Sequence, residues 1–217
     1  DSVPEVEDPE DAVPMPHIEG RIEFKDVTFG YEGHRPVLKK VSFVAEPGEM
    51  LGLVGHSGAG KTMLAEAFLH FTGATTRLGK VEDGSTLSDF EDEEIRRRLS
   101  LSTAVLPVEH RDHKLNLLDT PGYTDFVGEV ISALRVADGA LVVVDSVAGA
   151  EVGTEIAWNY CDEFKLPRFV VVNKMNRENA SMSRVLDGLR ETFGKTFVAL
   201  QLPIGAAGDF TGVVDLV

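Results

Sequence analysis

A single cysteine, Cys161, stands in the 217-residue chain. It excludes any disulfide within the chain, and a reducing, cytoplasmic setting is expected. Basic residues are scarce: 21 Lys and Arg face 36 Asp and Glu, for a formal net charge of −15. That imbalance argues against nucleic acid or an anionic membrane as a surface-wide partner. No apolar run approaches the length of a membrane span and no signal-peptide pattern opens the chain, so no membrane partner is expected. There is no G-x-S-x-G elbow and no evident nucleophile–base set. His110 and His113 have no Cys or third His beside them, which argues against a zinc-type site. The apolar fraction, 43%, is ordinary, and the length suits one or two domains with a real core.

What is present is concentrated in one octapeptide. Gly55-His56-Ser57-Gly58-Ala59-Gly60-Lys61-Thr62 matches the P-loop pattern G-x-x-x-x-G-K-[ST] without mismatch. The glycines let backbone N–H groups close around phosphate oxygens, Lys61 brings a point charge to the β- and γ-phosphates, and Thr62 offers a hydroxyl to Mg²⁺. A helix starting near Gly60 aims its N-terminal dipole at the same anion. The context agrees: residues 49–54 read as a buried strand entering the loop and residues 62–69 as a helix leaving it. The nucleotide-binding set therefore runs from Gly55 through Met63. A net acidic surface does not oppose this, because local backbone dipoles hold the phosphate.

Residues 1–17 are acidic and proline-rich and read as linker or tail; residues 1–20 hold seven acids and no Lys or Arg. Residues 21–29 alternate apolar and polar, and 37–44 do so less strictly, which predicts two strands ahead of a Pro47-Gly48 turn. Residues 72–98 are highly charged, without a clear apolar period. Residues 99–110 and 113–118 read as paired strands turning at Arg111-Asp112. Phe126, Val130, Ile131 and Leu134 share a helical face, as do Met182, Val185, Leu186, Leu189 and Phe193. The apolar runs 140–145 and 168–173 suit a parallel sheet covered on both faces. The expected fold is α/β: a P-loop architecture with a mainly parallel sheet flanked by helices and an N-terminal antiparallel β-hairpin.

Three further clusters carry chemistry. Asp119-Thr120-Pro121-Gly122 follows an apolar strand; its carboxylate can hold Mg²⁺ and Gly122 can bring an N–H to the γ-phosphate. Asn173-Lys174-Met175-Asn176 also follows an apolar strand and is similar to the N-K-x-D box that reads guanine, with Asn176 where that box has Asp. A carboxylate accepts twice, whereas an amide has one oxygen and one donor group. Asn176 should weaken guanine selectivity and could favour xanthine, at a cost to guanine of about 1–3 kcal/mol; a polar strand-to-helix loop is the plain alternative. Ser100 lies past the charged stretch, where a hydroxyl could close onto Mg²⁺ and the γ-phosphate; an ordinary strand serine is the alternative. Tyr31, ahead of the P-loop strand, can stack on a base or simply cover a sheet edge.

From Gly52 onward the chain resembles the GTP-binding domain of translation elongation factor G. The residues carrying this are GHSGAGKT at 55–62, LNLLDTPGYTDFVGEV at 115–130, ALVVVDSVAGAEVGTE at 140–155, VVNKMN at 171–176 and QLPIGAAGDFTGVVDLV at 201–217. The resemblance implies Mg²⁺ and GTP or GDP as ligands. It assigns Ser100 to the switch hydroxyl, Asp119 and Gly122 to the γ-phosphate side, and Asn173 and Lys174 to guanine. Three positions depart from it: Tyr123 stands where these GTPases usually carry the His that orients attacking water, Gly58 where many have Asp, and Asn176 as above. By the same likeness an inserted subdomain begins near Leu202, with a later strand, a base-contacting loop, a final helix and tRNA-mimicking domains expected to be missing. Ribosome binding is therefore not expected.

Residues 18–62, GRIEFKDVTFGYEGHRPVLKKVSFVAEPGEMLGLVGHSGAGKT after Ile18-Glu19, resemble instead the start of an ABC transporter ATPase domain. That likeness implies ATP or ADP, with Tyr31 stacked on adenine. No LSGGQ-type signature follows, and Asp145 is succeeded by Ser146 rather than by Glu. The two likenesses meet at the P-loop, which suggests a chimera, engineered rather than natural. The expected segments are an acidic linker at 1–17, an ABC-like β-subdomain at 18–54, a GTPase-like P-loop core at 55–196 and the start of a truncated inserted subdomain at 197–217. Three functions remain open on the sequence: a slow Mg²⁺-dependent GTPase-type hydrolase, with Lys61, Ser100, Gly122 and Tyr123 at the reacting phosphate; a nucleotide-binding module without useful turnover; and a folded scaffold without activity.

Overall fold

The computed structural model describes residues 22–29, 38–45, 49–110, 113–194 and 197–216. The acidic segment 1–17, Tyr31, the Pro47-Gly48 turn and the Arg111-Asp112 turn fall outside them. The chain divides into two compact units, Asp1–Gly48 and Glu49–Val217. In the first, β1 (Ile22–Phe29) and β2 (Leu38–Ala45) form an antiparallel hairpin, with register shifts between Phe24 and Phe29.

The second unit is the α/β fold that the apolar runs imply. Its sheet has the order β4 (Ala104–His110), β5 (His113–Asp119), β3 (Glu49–Val54), β6 (Gly139–Asp145), β7 (Arg168–Asn173). β4 is antiparallel to β5 and every other pair is parallel. Period-two alternation sends neighbouring residues of one strand to opposite faces. Leu53 and Leu141 pack with Ala65, Leu69, Leu106 and Leu117 under helix α1 (Lys61–Phe71). Val54, Val142 and Val144 pack with Leu134 of α3 (Val127–Val136), Trp158 and Cys161 of α4 (Val152–Glu163), and Val185 and Leu189 of α5 (Met182–Phe193). Each such fully buried aliphatic side chain contributes about 1.5–3 kcal/mol.

Two elements differ from the expectation. The strand read over 99–110 begins only at Ala104. Ahead of it the charged stretch folds into a six-residue helix, α2 (Asp92–Arg97), opened by a Glu91/Glu94 capping box. Glu94 is fully buried and also accepts from the N–H groups of Leu101 and Ser102, at 2.9 and 3.2 Å, which holds residues 99–103 out of the ladder. Helix α4 had no expectation, although Thr154, Ala157, Trp158 and Cys161 form a clean buried stripe. A small hairpin of β8 (Gln201–Ile204) and β9 (Gly212–Asp215) closes the described chain. Among the described residues no helix is long and apolar enough to cross a membrane.

Candidate functional site

The carboxyl ends of β3, β5, β6 and β7 deliver Gly55, Asp119, Asp145 and Asn173 to one edge of the sheet, where ligands of open parallel sheets bind. Between β3 and α1 the P-loop curls around the end of Lys61. Lys61 is buried, and its Nζ donates to the carbonyl oxygens of Gly55 at 3.0 Å and His56 at 3.2 Å. Burial pushes its ammonium down to about 8, opposed by the carboxylates of Asp119 and Asp89. Gly122 must be glycine: a Cβ there would lie 2.5 Å from both Lys61 Nζ and the backbone nitrogen of Ser57. Gly60 sits at φ 96° directly against Asn173.

Asp119 pairs in register with Leu53, and the Thr120 hydroxyl ties the same turn to the Leu53 carbonyl at 2.7 Å. Its carboxylate is buried and neither oxygen has a hydrogen-bond partner among the described residues. Burial pushes its carboxyl up to about 6, against the pull of Lys61 and of the nearby Thr62 and Ser88 hydroxyls. Thr62 Oγ1 lies 3.3 Å from Ser100 Oγ, which donates to Asp89 at 2.7 Å. Asp89 is buried too, and burial raises its carboxyl. Two buried carboxylates, the hydroxyls of Thr62, Ser88 and Ser100 and one lysine make an oxygen-rich, net-negative locus. That donor set fits a hard divalent cation such as Mg²⁺, and an orphaned buried carboxylate is what such an ion would satisfy.

Ser57, Gly58, Gly60, Lys61, Thr62, Met63, Ser100, Gly122, Tyr123 and Lys174 thus line one cleft of about 310 Å³. Other sequence candidates stand around it. Ala59 and Asn173 are bonded to each other behind the loop, Asn173 Nδ2 donating to the Ala59 carbonyl at 3.0 Å. Lys174 donates through Nζ to the Gly58 carbonyl and pairs with Asp145 at 3.1 Å. His56 turns toward α4, with Nε2 3.6 Å from Glu151. Asn176 is exposed and Tyr123 is 48% exposed. Tyr31 is outside the described residues. Asp89, Ser88 and Arg98 carried no sequence expectation. Asp89 is three residues past Thr86 in a stretch with no apolar period, so its burial depends on tertiary contacts: Glu66 of α1 accepts from the N–H of Gly79 at 3.0 Å and of Leu87, folding that stretch onto the site.

A larger, mostly apolar groove of about 930 Å³ runs along the outer edge of β7. Gln201 and Asp215 in its wall bond each other, and Arg168 is held by Asp162 and the Trp158 carbonyl, so it offers no comparable set of polar groups.

The elongation factor Tu GTP binding domain matches residues 47–213. An elongation factor G from Granulibacter bethesdensis is 40% identical over 167 residues, covering 77% of this chain and 24% of the relative. An elongation factor G 2 from Streptomyces coelicolor is 42% identical over 166 residues, covering 76% and 24%. A crystal structure of ttk003000868 from Thermus thermophilus superposes with a TM-score of 0.73 at 44% identity, covering 77% of this chain and 25% of that one. The chain thus spans about a quarter of the length of the relatives it matches.

Proposed function

This chain belongs to the family of the elongation factor Tu GTP-binding domain, and on that footing we propose that it binds GTP and GDP with Mg²⁺ and hydrolyses GTP slowly. The single observation that carries the reading is the convergence of Lys61, Thr62, Ser100 and Gly122 in one cleft, with the orphaned Asp119 carboxylate behind it. Thr62, Ser100 and Asp119 would hold Mg²⁺, with Asp89 beside them; the ion neutralises charge on the β- and γ-phosphates. Lys61 and the loop N–H groups orient the phosphates. Gly122, packed closely against Lys61 and Ser57, would bring its N–H to the γ-phosphate. Turnover is slow because Tyr123, half in solvent and with no hydrogen bond to its hydroxyl among the described residues, is a poor water-positioning group.

Asn176 favours a relaxed base preference. Its amide cannot accept both guanine donors, so GTP gains less over XTP and ATP than a carboxylate would give. The hairpin unit carries the ABC-like strand–aromatic–strand order, and the family match starts at residue 47, after it. Both support a chimeric junction at the P-loop strand, and ATP is the competing nucleotide on that likeness. The test is Mg²⁺-dependent release of phosphate from GTP, with Lys61→Ala as control. Slow release abolished by the substitution supports the reading. Binding without release leaves a nucleotide-binding module. Neither binding nor release from folded protein leaves a scaffold.

A further inference from the structure

Arg96, Arg97 and Arg98 end helix α2, and they are not equivalent. Arg96 and Arg97 both pair with Glu93 on the outer face. Among the described residues Arg98 has no hydrogen-bond or ion-pair partner for its guanidinium, and it lines the cleft beside Lys61, Thr62, Ser100, Gly122 and Tyr123. Its backbone is left-handed, φ 58° and ψ 42°, with its N–H on the Glu94 carbonyl. Glycine takes that conformation at lower cost, so the turn itself does not require an arginine.

The other cations of the cleft are engaged. Lys61 donates to Gly55 and His56, Lys174 to Gly58 and Asp145, and Arg177 faces Asp145 at 3.5 Å. The Arg98 side chain is exposed at the mouth of the cleft, and the backbone that carries it is held from both sides. Glu94 fixes the backbone before and after it, and Ser100, two residues on, is tied to Thr62 and Asp89. The carboxylates facing it are Asp89, which accepts from Ser100, and the exposed Glu82.

We propose that Arg98 is a catalytic arginine supplied in cis, its guanidinium contacting the γ-phosphoryl oxygens of a bound nucleoside triphosphate. The proposal deepens the hydrolase reading and rests on it. In the step, water adds to the γ-phosphorus while the bond to the β–γ bridging oxygen breaks. The electron pair stays on that oxygen, giving the diphosphate, and of the two water protons one stays on inorganic phosphate and the other passes to phosphate or solvent. Charge spreads over the equatorial and bridging oxygens, and a planar five-donor cation stabilises it there more than in the ground state.

The test compares the parent protein with Arg98→Gly, Arg98→Ala and Arg98→Lys. Single-turnover GTP hydrolysis and the trapping of GDP with aluminium fluoride are both measured, alongside GDP affinity and Tm. Arg98→Gly keeps the left-handed turn, so its Tm stays at or above that of the parent. The expected result is a loss of at least about 10-fold in hydrolysis and in aluminium fluoride trapping for Gly and Ala, with GDP affinity within about threefold. Lys recovers part of the trapping. Equal hydrolysis and trapping in Arg98→Gly would overturn the role of Arg98 while leaving the nucleotide reading intact. A parent protein that binds no nucleotide would overturn both.

Discussion

Asn173 and Ala59 are 114 residues apart in sequence, yet the side-chain amide of one donates to the backbone carbonyl of the other at 3.0 Å. The end of β7 and the phosphate loop are therefore tied together. The Asn173 Oδ1 also accepts from the Lys174 N–H at 2.8 Å, holding Lys174 in its left-handed conformation. Asn173→Ala strips the buried Ala59 carbonyl of its donor, at about 1–3 kcal/mol. Affinity for Mg-GTP and Mg-ATP is expected to fall by a similar factor, about 10-fold. A fall confined to GTP in parallel titrations would mean that Asn173 acts on the base alone.

Asp119 sets a pH dependence. Its folded carboxyl is raised from 3.8 to about 6, so ionising it costs the cation-free fold stability. The cost is absent below the unfolded pKa, grows as pH rises from about 4 to about 6, and stays in full above that. Asp119→Asn removes it. At about pH 7 without metal the variant is expected to be about 1–3 kcal/mol more stable than the parent, with the gap closing toward about pH 4. It is also expected to lose the stabilisation that Mg²⁺ with nucleotide gives the parent. Urea melts at several pH values check this, and a gap that does not change with pH would count against it.

Trp158 anchors the helical face behind the sheet. It is 6% exposed, stacks on Phe193 with centroids 4.3 Å apart, and lies 4.0 Å from the Arg168 guanidinium carbon. Trp158→Ala is expected to cost about 3–5 kcal/mol, read as a lower Tm. Nucleotide affinity per folded molecule should be nearly unchanged, because the residue does not line the cleft.

The elements that carry the candidate phosphate site are legible because their sequence signals are local. Residues 55–62 and 119–122 follow buried strands whose apolar runs announce them, and both strands are observed in parallel register, Leu53 opposite Asp119. Helices with a strong apolar stripe, such as α5, were legible for the same reason. What escaped reading depends on long-range contacts. Asp89 and Arg98 lie in a polar stretch with no period, and Glu66 and Glu94, acids that composition would place in solvent, are fully buried as the anchors that fold that stretch. Helix α4 is less legible because its buried stripe is built of Thr154, Ala157, Trp158 and Cys161 rather than the usual large aliphatics.

Titration calorimetry of nucleotide-stripped protein with GTP, GDP, XTP and ATP in Mg²⁺ tests the central claim most directly. The account predicts that GTP and GDP bind, with XTP close behind, and that Lys61→Ala weakens the triphosphates by at least about 30-fold. Folded protein that binds none of the four would contradict it.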